Sequence, residues 1–189
     1  MKRAIIIHCW SGCPEYCWYQ SAKKELEARG FLVQVPAMPD RDAPNLATWL
    51  PALREAVGTP DEDLYLIGHS AGCITILRYL ESLKPGQKIG GAVLVAGFTH
   101  DLGYTELSNF YTTPLPLEKI KAKAKHFTVI LSDNDPFVPV SEGEVFEERL
   151  GAEVLMMHNR GHFSGPVDKE DSCTELPEVV QAVFHASQK

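Results

Sequence analysis

Residues 63–72 read Asp63-Leu64-Tyr65-Leu66-Ile67-Gly68-His69-Ser70-Ala71-Gly72, and these residues decide the fold. Asp63–Ile67 is a short aliphatic run of the kind that a strand buried on both faces shows. Ile74–Leu83, just beyond, carries apolar residues at helical spacing and ends before Pro85-Gly86. Between the two stands G-x-S-x-G. A strained strand-to-helix turn pushes a serine hydroxyl clear of the backbone, and side chains two positions away on either side would collide there. The helix N-terminus that follows aims amide N–H groups at developing negative charge. Ser70 is therefore the candidate nucleophile. A plain small-residue turn would use the same glycines; the strand before it and the helix after it separate the two readings.

Working outward, Ala4–His8 is another continuous apolar run and reads as a first strand. Glu15–Arg29 follows as a helix ending at Gly30, and Phe31–Val35 as a second strand stopped by Pro36. Ala43–Val57 is helical, with Pro44 near its start and Gly58 at its end. Downstream, Gly91–Ala96, Phe127–Leu131 and Ala152–Met157 are strands four to six, and Leu176–Ala186 is a closing helix. Ser141-x-x-Glu144 reads as a capping box that opens a helix ending near Leu150-Gly151. Residues 98–118, with Pro114 and Pro116, are irregular and form a loop or small cap over a site. Alternating strands and helices predict right-handed crossovers and a mostly parallel sheet of about six strands, covered by helices on both faces. The α/β class follows, as a compact three-layer sandwich in one domain spanning 1–189. In such sheets chemistry gathers beyond the carboxyl ends of the strands.

Composition narrows the function. With 189 residues, 44% apolar and 23% charged, the chain reads as an ordinary globular domain rather than a disordered one. A formal charge of −7 lacks the basic footprint of a nucleic-acid or anionic-membrane binder. Behind Met1-Lys2-Arg3 the apolar run is too short for a secretory core, and Gly91–Phe98 falls far short of the ~20 residues of a membrane helix. A cytoplasmic protein that engages neither nucleic acid nor membrane is expected. Five cysteines (9, 13, 17, 73 and 173) are an odd count, so reduced thiols are the default. Cys9, Cys13 and Cys17 stand four apart beside His8, but no second cluster completes a zinc set, and no metal is expected.

A serine hydroxyl barely ionises near neutrality, so it needs a base and an orienting acid. At an elbow of this type they follow in chain order serine, acid, histidine. After the fifth strand comes Ser132-Asp133-Asn134-Asp135-Pro136-Phe137-Val138-Pro139, and after the sixth Asn159-Arg160-Gly161-His162-Phe163. Of seven histidines only His162 has this placement. His69 adjoins the nucleophile and is badly placed as its base; His8 ends the first strand and shapes the site; His100 precedes the acid; His126, His158 and His185 read as surface or packing residues. Asp133 and Asp135, two apart in the loop after the fifth strand, are the candidate acids, and Asp133 is more simply read as a turn residue. One oxyanion donor is the Ala71 amide, and the other comes from the loop His8-Cys9-Trp10-Ser11-Gly12. His8, Cys9, His69, Phe137 and Phe163 are the candidate lining of the substrate pocket.

At this point the chain resembles the small single-domain serine hydrolases grouped with the retinoblastoma-binding serine hydrolase, within the α/β-hydrolase superfamily. The resemblance runs from Cys17-Trp18-Tyr19 and Lys24-Glu25-Leu26 through Met38-Pro39-Asp40, Trp49-Leu50-Pro51 and the elbow. It continues over Thr99–Gly103, Glu118–Lys121, Asp135–Pro139 and Gly161-His162-Phe163. It implies an α/β-hydrolase fold without a large lid, a Ser70–Asp135–His162 triad, no cofactor, and a small ester or amide as substrate. Asp135 with Pro-Phe-Val-Pro resembles the D-x-x-V-P segment usual after the fifth strand. The usual His-Gly-x oxyanion motif maps its donor onto Trp10, with Cys9 where glycine is customary. A retinoblastoma-type L-x-C-x-E peptide is absent, since residues 171–175 begin with aspartate. The rival reading is an interaction module that keeps the fold and little or no catalysis.

Overall fold

In the computed structural model, which describes residues 1–165 and 173–189, six strands form one sheet in the order β2-β1-β3-β4-β5-β6. They are β1 (Arg3–Ile7), β2 (Leu32–Gln34), β3 (Leu64–His69), β4 (Ile89–Val95), β5 (Ala124–Ser132) and β6 (Glu153–Met157). Every neighbouring pair is parallel. The helices are α1 (Tyr19–Ala28), α2 (Leu46–Val57), α3 (Ala71–Glu81), α4 (Leu117–Lys121), α5 (Ser141–Val145) and α6 (Pro177–Ala186). No helix among the described residues is long and apolar enough to cross a membrane.

The step from β1 to β2 runs one way along the sheet and every later step runs the other way. Right-handed crossovers then place α1 on one face and α2, α3 and α4 on the opposite one. The packing agrees: α1 lies against α6, while α3 touches both α2 and α4. The reversal opens a crevice between the carboxyl ends of β1 and β3, the usual place for a ligand in such a sheet. Central β3 and β4 are buried along their whole length, and edge β2 and β6 are half exposed, which explains why the central strands read as unbroken aliphatic runs.

Several boundaries differ from the sequence reading, each for a local reason. α1 begins at Tyr19 rather than Glu15, because Tyr16 N–H closes a turn onto Cys13 O and Cys17 takes φ 41°. α3 begins at Ala71, three residues before the apolar spacing becomes visible, through small residues that are wholly buried. The expected capping box is corrected: Val140 is the N-cap of α5, Ser141 already lies inside the helix, and no side chain caps it. Its neighbour Glu142 is instead buried and ties down the chain after β4, accepting Thr99 N–H at 2.7 Å and contacting His100 Nδ1 at 2.9 Å. Residues 98–118 hold a single 3₁₀ segment (Thr105–Phe110) and the start of α4, both too short to show a period. Asp171 and Ser172, from the nearest match to the L-x-C-x-E peptide, lie outside the described residues.

Candidate active site

The elbow is held by close backbone approach. A Cβ on Gly68 would sit 2.7 Å from Cys73 N, and one on Gly72 only 2.3 Å from Ile7 O, so the first turn of α3 lies directly on the end of β1. Between them Ser70 takes φ 52°, a left-handed value rare for a side chain-bearing residue, and its amide donates to Val95 O at 2.9 Å. Serine at an N-cap ordinarily bends its hydroxyl back onto the helix. Here it makes no cap bond, and Ser70 lines a cavity instead.

That cavity, about 200 Å³, is lined by Ser70, His162, Cys9, Trp10 and an apolar wall of Phe98, Leu102, Leu107, Phe137 and Val138, among others. Among the described residues its lining includes no Asp, Glu, Lys or Arg side chain. His162 faces Asp135 through Nδ1, 2.9 Å from Oδ2 and 3.1 Å from Oδ1, with both side chains buried. A carboxylate only accepts, so Nδ1 carries the proton and Nε2 the lone pair. The carboxylate is also pinned by its own turn. Pro136 has no N–H to offer, and the next two amides, Phe137 and Val138, donate to Asp135 Oδ1 at 2.9 and 3.1 Å. The Phe137 ring then stands edge-on to His162, 5.0 Å between centroids.

The loop bearing His162 is gripped from the end of β5 and the turn after it, by Ser132 and Asn134, which the sequence reading left aside, and by Asp133, which it took as a turn residue. Ser132 Oγ accepts Arg160 N–H at 2.9 Å, Asn134 Oδ1 accepts Gly161 N–H at 2.8 Å, and Asp133 Oδ1 accepts Asn159 N–H at 2.9 Å. Asp133 also contacts His158, and the Asn159 amide, with His158 second, holds its carboxyl below the usual range. Asp133 thus faces the residues before the candidate base, and Asp135 faces the base itself. Short polar residues crowded into one turn are a legible signal for such a grip, but their partners lie across the chain and are not.

In the loop after β1 the amides of Cys9, Ser11 and Gly12 are engaged, by the Tyr19 hydroxyl oxygen, Arg41 O and Cys9 O respectively. Among the described residues the Trp10 amide has no partner, while its indole N–H donates to Asp42 O at 3.1 Å. Ala71 is the first residue of α3, where amides have no partner within the helix. Of the expected pocket residues, Cys9 and Phe137 line the cavity. His8, His69 and Phe163 do not; they are buried behind its wall. His8 is turned away because Nδ1 meets Cys9 O at 2.8 Å and Nε2 accepts Met38 N–H at 2.9 Å, and burial pushes its pKa down. Phe163 packs wholly in the core with φ 57°. Among the described residues no three His, Cys, Asp or Glu side chains converge on a metal-sized site.

Comparison with known proteins places the chain among hydrolases. A family model described as serine hydrolase matches residues 4–183. YdeN of Bacillus subtilis (strain 168) is 33% identical over 94% of this chain and 92% of its own length. The serine hydrolase RBBP9 of Rattus norvegicus is 32% identical over 88% and 84% of the two chains. The crystal structure of the ydeN gene product superposes over the full length of both chains with a TM-score of 0.92. Est1E of Butyrivibrio proteoclasticus, solved with ferulic acid bound, shares the fold at TM-score 0.75 and 15% identity, with all of this chain and 90% of that one covered.

Proposed function

The chain belongs to the serine hydrolase family, and from that premise we propose that it cleaves a small uncharged ester or amide through an acyl-enzyme at Ser70. Ser70 Oγ attacks the acyl carbonyl while its proton passes to His162 Nε2. Asp135 keeps the ring in the Nδ1–H tautomer and offsets the imidazolium charge. The carbonyl oxygen, now negative, takes N–H bonds from Ala71 and Trp10. Collapse breaks the bond to the leaving group, which leaves with the proton from Nε2. Water then attacks the acyl carbon at Ser70 and gives a proton to Nε2; collapse breaks the Oγ–acyl bond, Nε2 returns that proton to Oγ, and the acid is released.

The observation that carries this reading is the meeting of Ser70 and a carboxylate-held His162 at one apolar cavity beside an unpartnered Trp10 amide. The apolar wall of Phe98, Leu102, Leu107, Phe137 and Val138, with no acidic or cationic side chain among the described lining residues, favours an uncharged acyl group, because a charge against that wall would lose its water without a partner. We place this work in the cytoplasm. A fluorophosphonate probe tests the reading: it should label the native chain at Ser70, and Ser70→Ala should abolish both labelling and ester hydrolysis. Labelling at another residue, or hydrolysis that survives Ser70→Ala, overturns the assignment. Complete inertness toward probe and esters would favour the interaction module instead.

A further inference from the structure

Behind the cavity wall runs a chain of hydrogen bonds that the proposed chemistry does not consume. His69 Nε2 lies 2.7 Å from the backbone oxygen of His162. A carbonyl only accepts, so Nε2 carries the ring proton and Nδ1 is a lone pair. The Tyr19 hydroxyl, 2.7 Å from that Nδ1, must then be its donor. The Tyr19 oxygen in turn accepts the Cys9 amide at 3.0 Å. Each proton in the chain therefore has one address, although neither Tyr19 nor His69 lines the cavity.

The surroundings keep it so. Tyr19 and His69 are both fully buried. Between ring centroids, Trp18 stands edge-on to Tyr19 at 4.7 Å and tilted to His69 at 5.8 Å, and the His162 ring lies 5.3 Å from His69. Burial, reinforced by His162, lowers the His69 pKa to about 3, so the ring is neutral near neutral pH. Burial likewise pushes the Tyr19 hydroxyl well up, and it stays protonated.

The two ends of the chain matter most. One end grips the backbone of the candidate base, and the other grips the amide directly before Trp10. We propose that Tyr19 and His69 are positioning residues that hold the base and the oxyanion loop at one fixed separation across the nucleophile. The inference rests on the roles given above to Ser70, His162 and Trp10. His69 is thus neither a spare base nor a pocket residue, but the buried tie between two halves of the site.

The test uses the intact chain and a chromogenic short-chain aryl ester. Tyr19→Phe keeps the ring and removes only the hydroxyl; kcat should fall roughly 10- to 100-fold, as small misplacements of reacting groups do. KM should stay within about twofold, since the cavity lining is untouched. His69→Gln still offers one donor and one acceptor, and should retain clearly more activity than His69→Leu, which offers neither. A kcat for Tyr19→Phe within about twofold of native, or equal losses in the two His69 variants, would overturn the proposal. Ring ¹⁵N shifts of His69 in the native chain decide the matter even if a variant fails to fold. The neutral Nε2–H tautomer should persist from about pH 5 to about pH 9, and an Nδ1–H tautomer or a titrating ring would refute it. Fluorophosphonate labelling of the native chain keeps the two failures apart. No labelling at Ser70 sinks the underlying catalytic reading; normal labelling with indifferent variants sinks the positioning alone.

Discussion

Asp133 and Asp135 stand two positions apart, and the fold turns one toward a loop and the other toward an imidazole. Asp135→Asn replaces an acceptor facing His162 Nδ1 with an amide able to stabilise the wrong tautomer. By the precedent of serine proteases, kcat should fall roughly 10²- to 10⁴-fold. Asp133→Asn keeps an oxygen for the Asn159 amide and should cost no more than about threefold. Steady-state rates with circular dichroism on both variants check this, and the reverse ranking would move the acid to Asp133. The choice of Asp135 was legible through the resemblance of Asp135-Pro136-Phe137-Val138-Pro139 to the segment usual after the fifth strand, whereas the fold-back of the Phe137 and Val138 amides onto its carboxylate was not. Asn134 and Ser132 were not legible, since nothing nearby in the chain says which distant amides they meet. His69 adds a second prediction. The unfolded chain protonates this residue below its ordinary 6.5, the folded chain only near 3, so between those values the unfolded state binds more protons. Stability should therefore decline as pH drops below about 6.5 and hold level above it, with buried His8 acting in the same sense. Urea midpoints at about pH 7.5 and about pH 5 should diverge more for the native chain than for His69→Gln. An identical pH response in the two would show that His69 is not the source.

At the scale of elements, β1 and the first turn of α3 approach each other backbone to backbone at Gly72. Gly72→Ala would drive a methyl into Ile7 O at 2.3 Å, and backbone cannot swing aside as a side chain can. That variant should be insoluble or melt far below the native chain, with no activity. Gly30→Ala makes a useful contrast: φ is +87° and nothing lies within 4 Å, so only the left-handed backbone cost of about 1–2 kcal/mol applies. Thermal melts of the two variants decide between close approach and conformational freedom as the cause. The same elements show what a sequence discloses. Unbroken aliphatic runs announced β3 and β4 because both of their faces are covered. The start of α3 was hidden because Ala71, Gly72 and Cys73 are small, and close packing demands just that. Ser141 and Glu144 had the spacing of a cap, but the turn through Val140 began the helix early and gave the neighbouring Glu142 the partners.

For the molecule as a whole, strand order sets what the cavity can accept. The chain after β4 folds down over the crevice as a short cap, and Phe98, Leu102 and Leu107 close a space of about 200 Å³. Across a series of straight-chain esters, kcat/KM should climb with acyl length, peak, and fall once the chain outgrows that space. An acyl group ending in a carboxylate should lose at least roughly 100-fold against its uncharged isostere, from desolvation without a partner. A flat profile across the series would mean that the acyl group lies elsewhere.

The lining of that cavity is drawn from Cys9 at one end of the sequence to Ser164 at the other, over a sheet whose neighbours are all parallel. Parallel pairings join segments distant along the chain, and such contacts form late and slowly. No contiguous fragment contains the site, and no early intermediate can be expected to possess it. Turnover is therefore a census of finished molecules: during refolding it should lag behind the return of helical dichroism, and a single backbone cut that separates β1 from the remainder should silence it altogether.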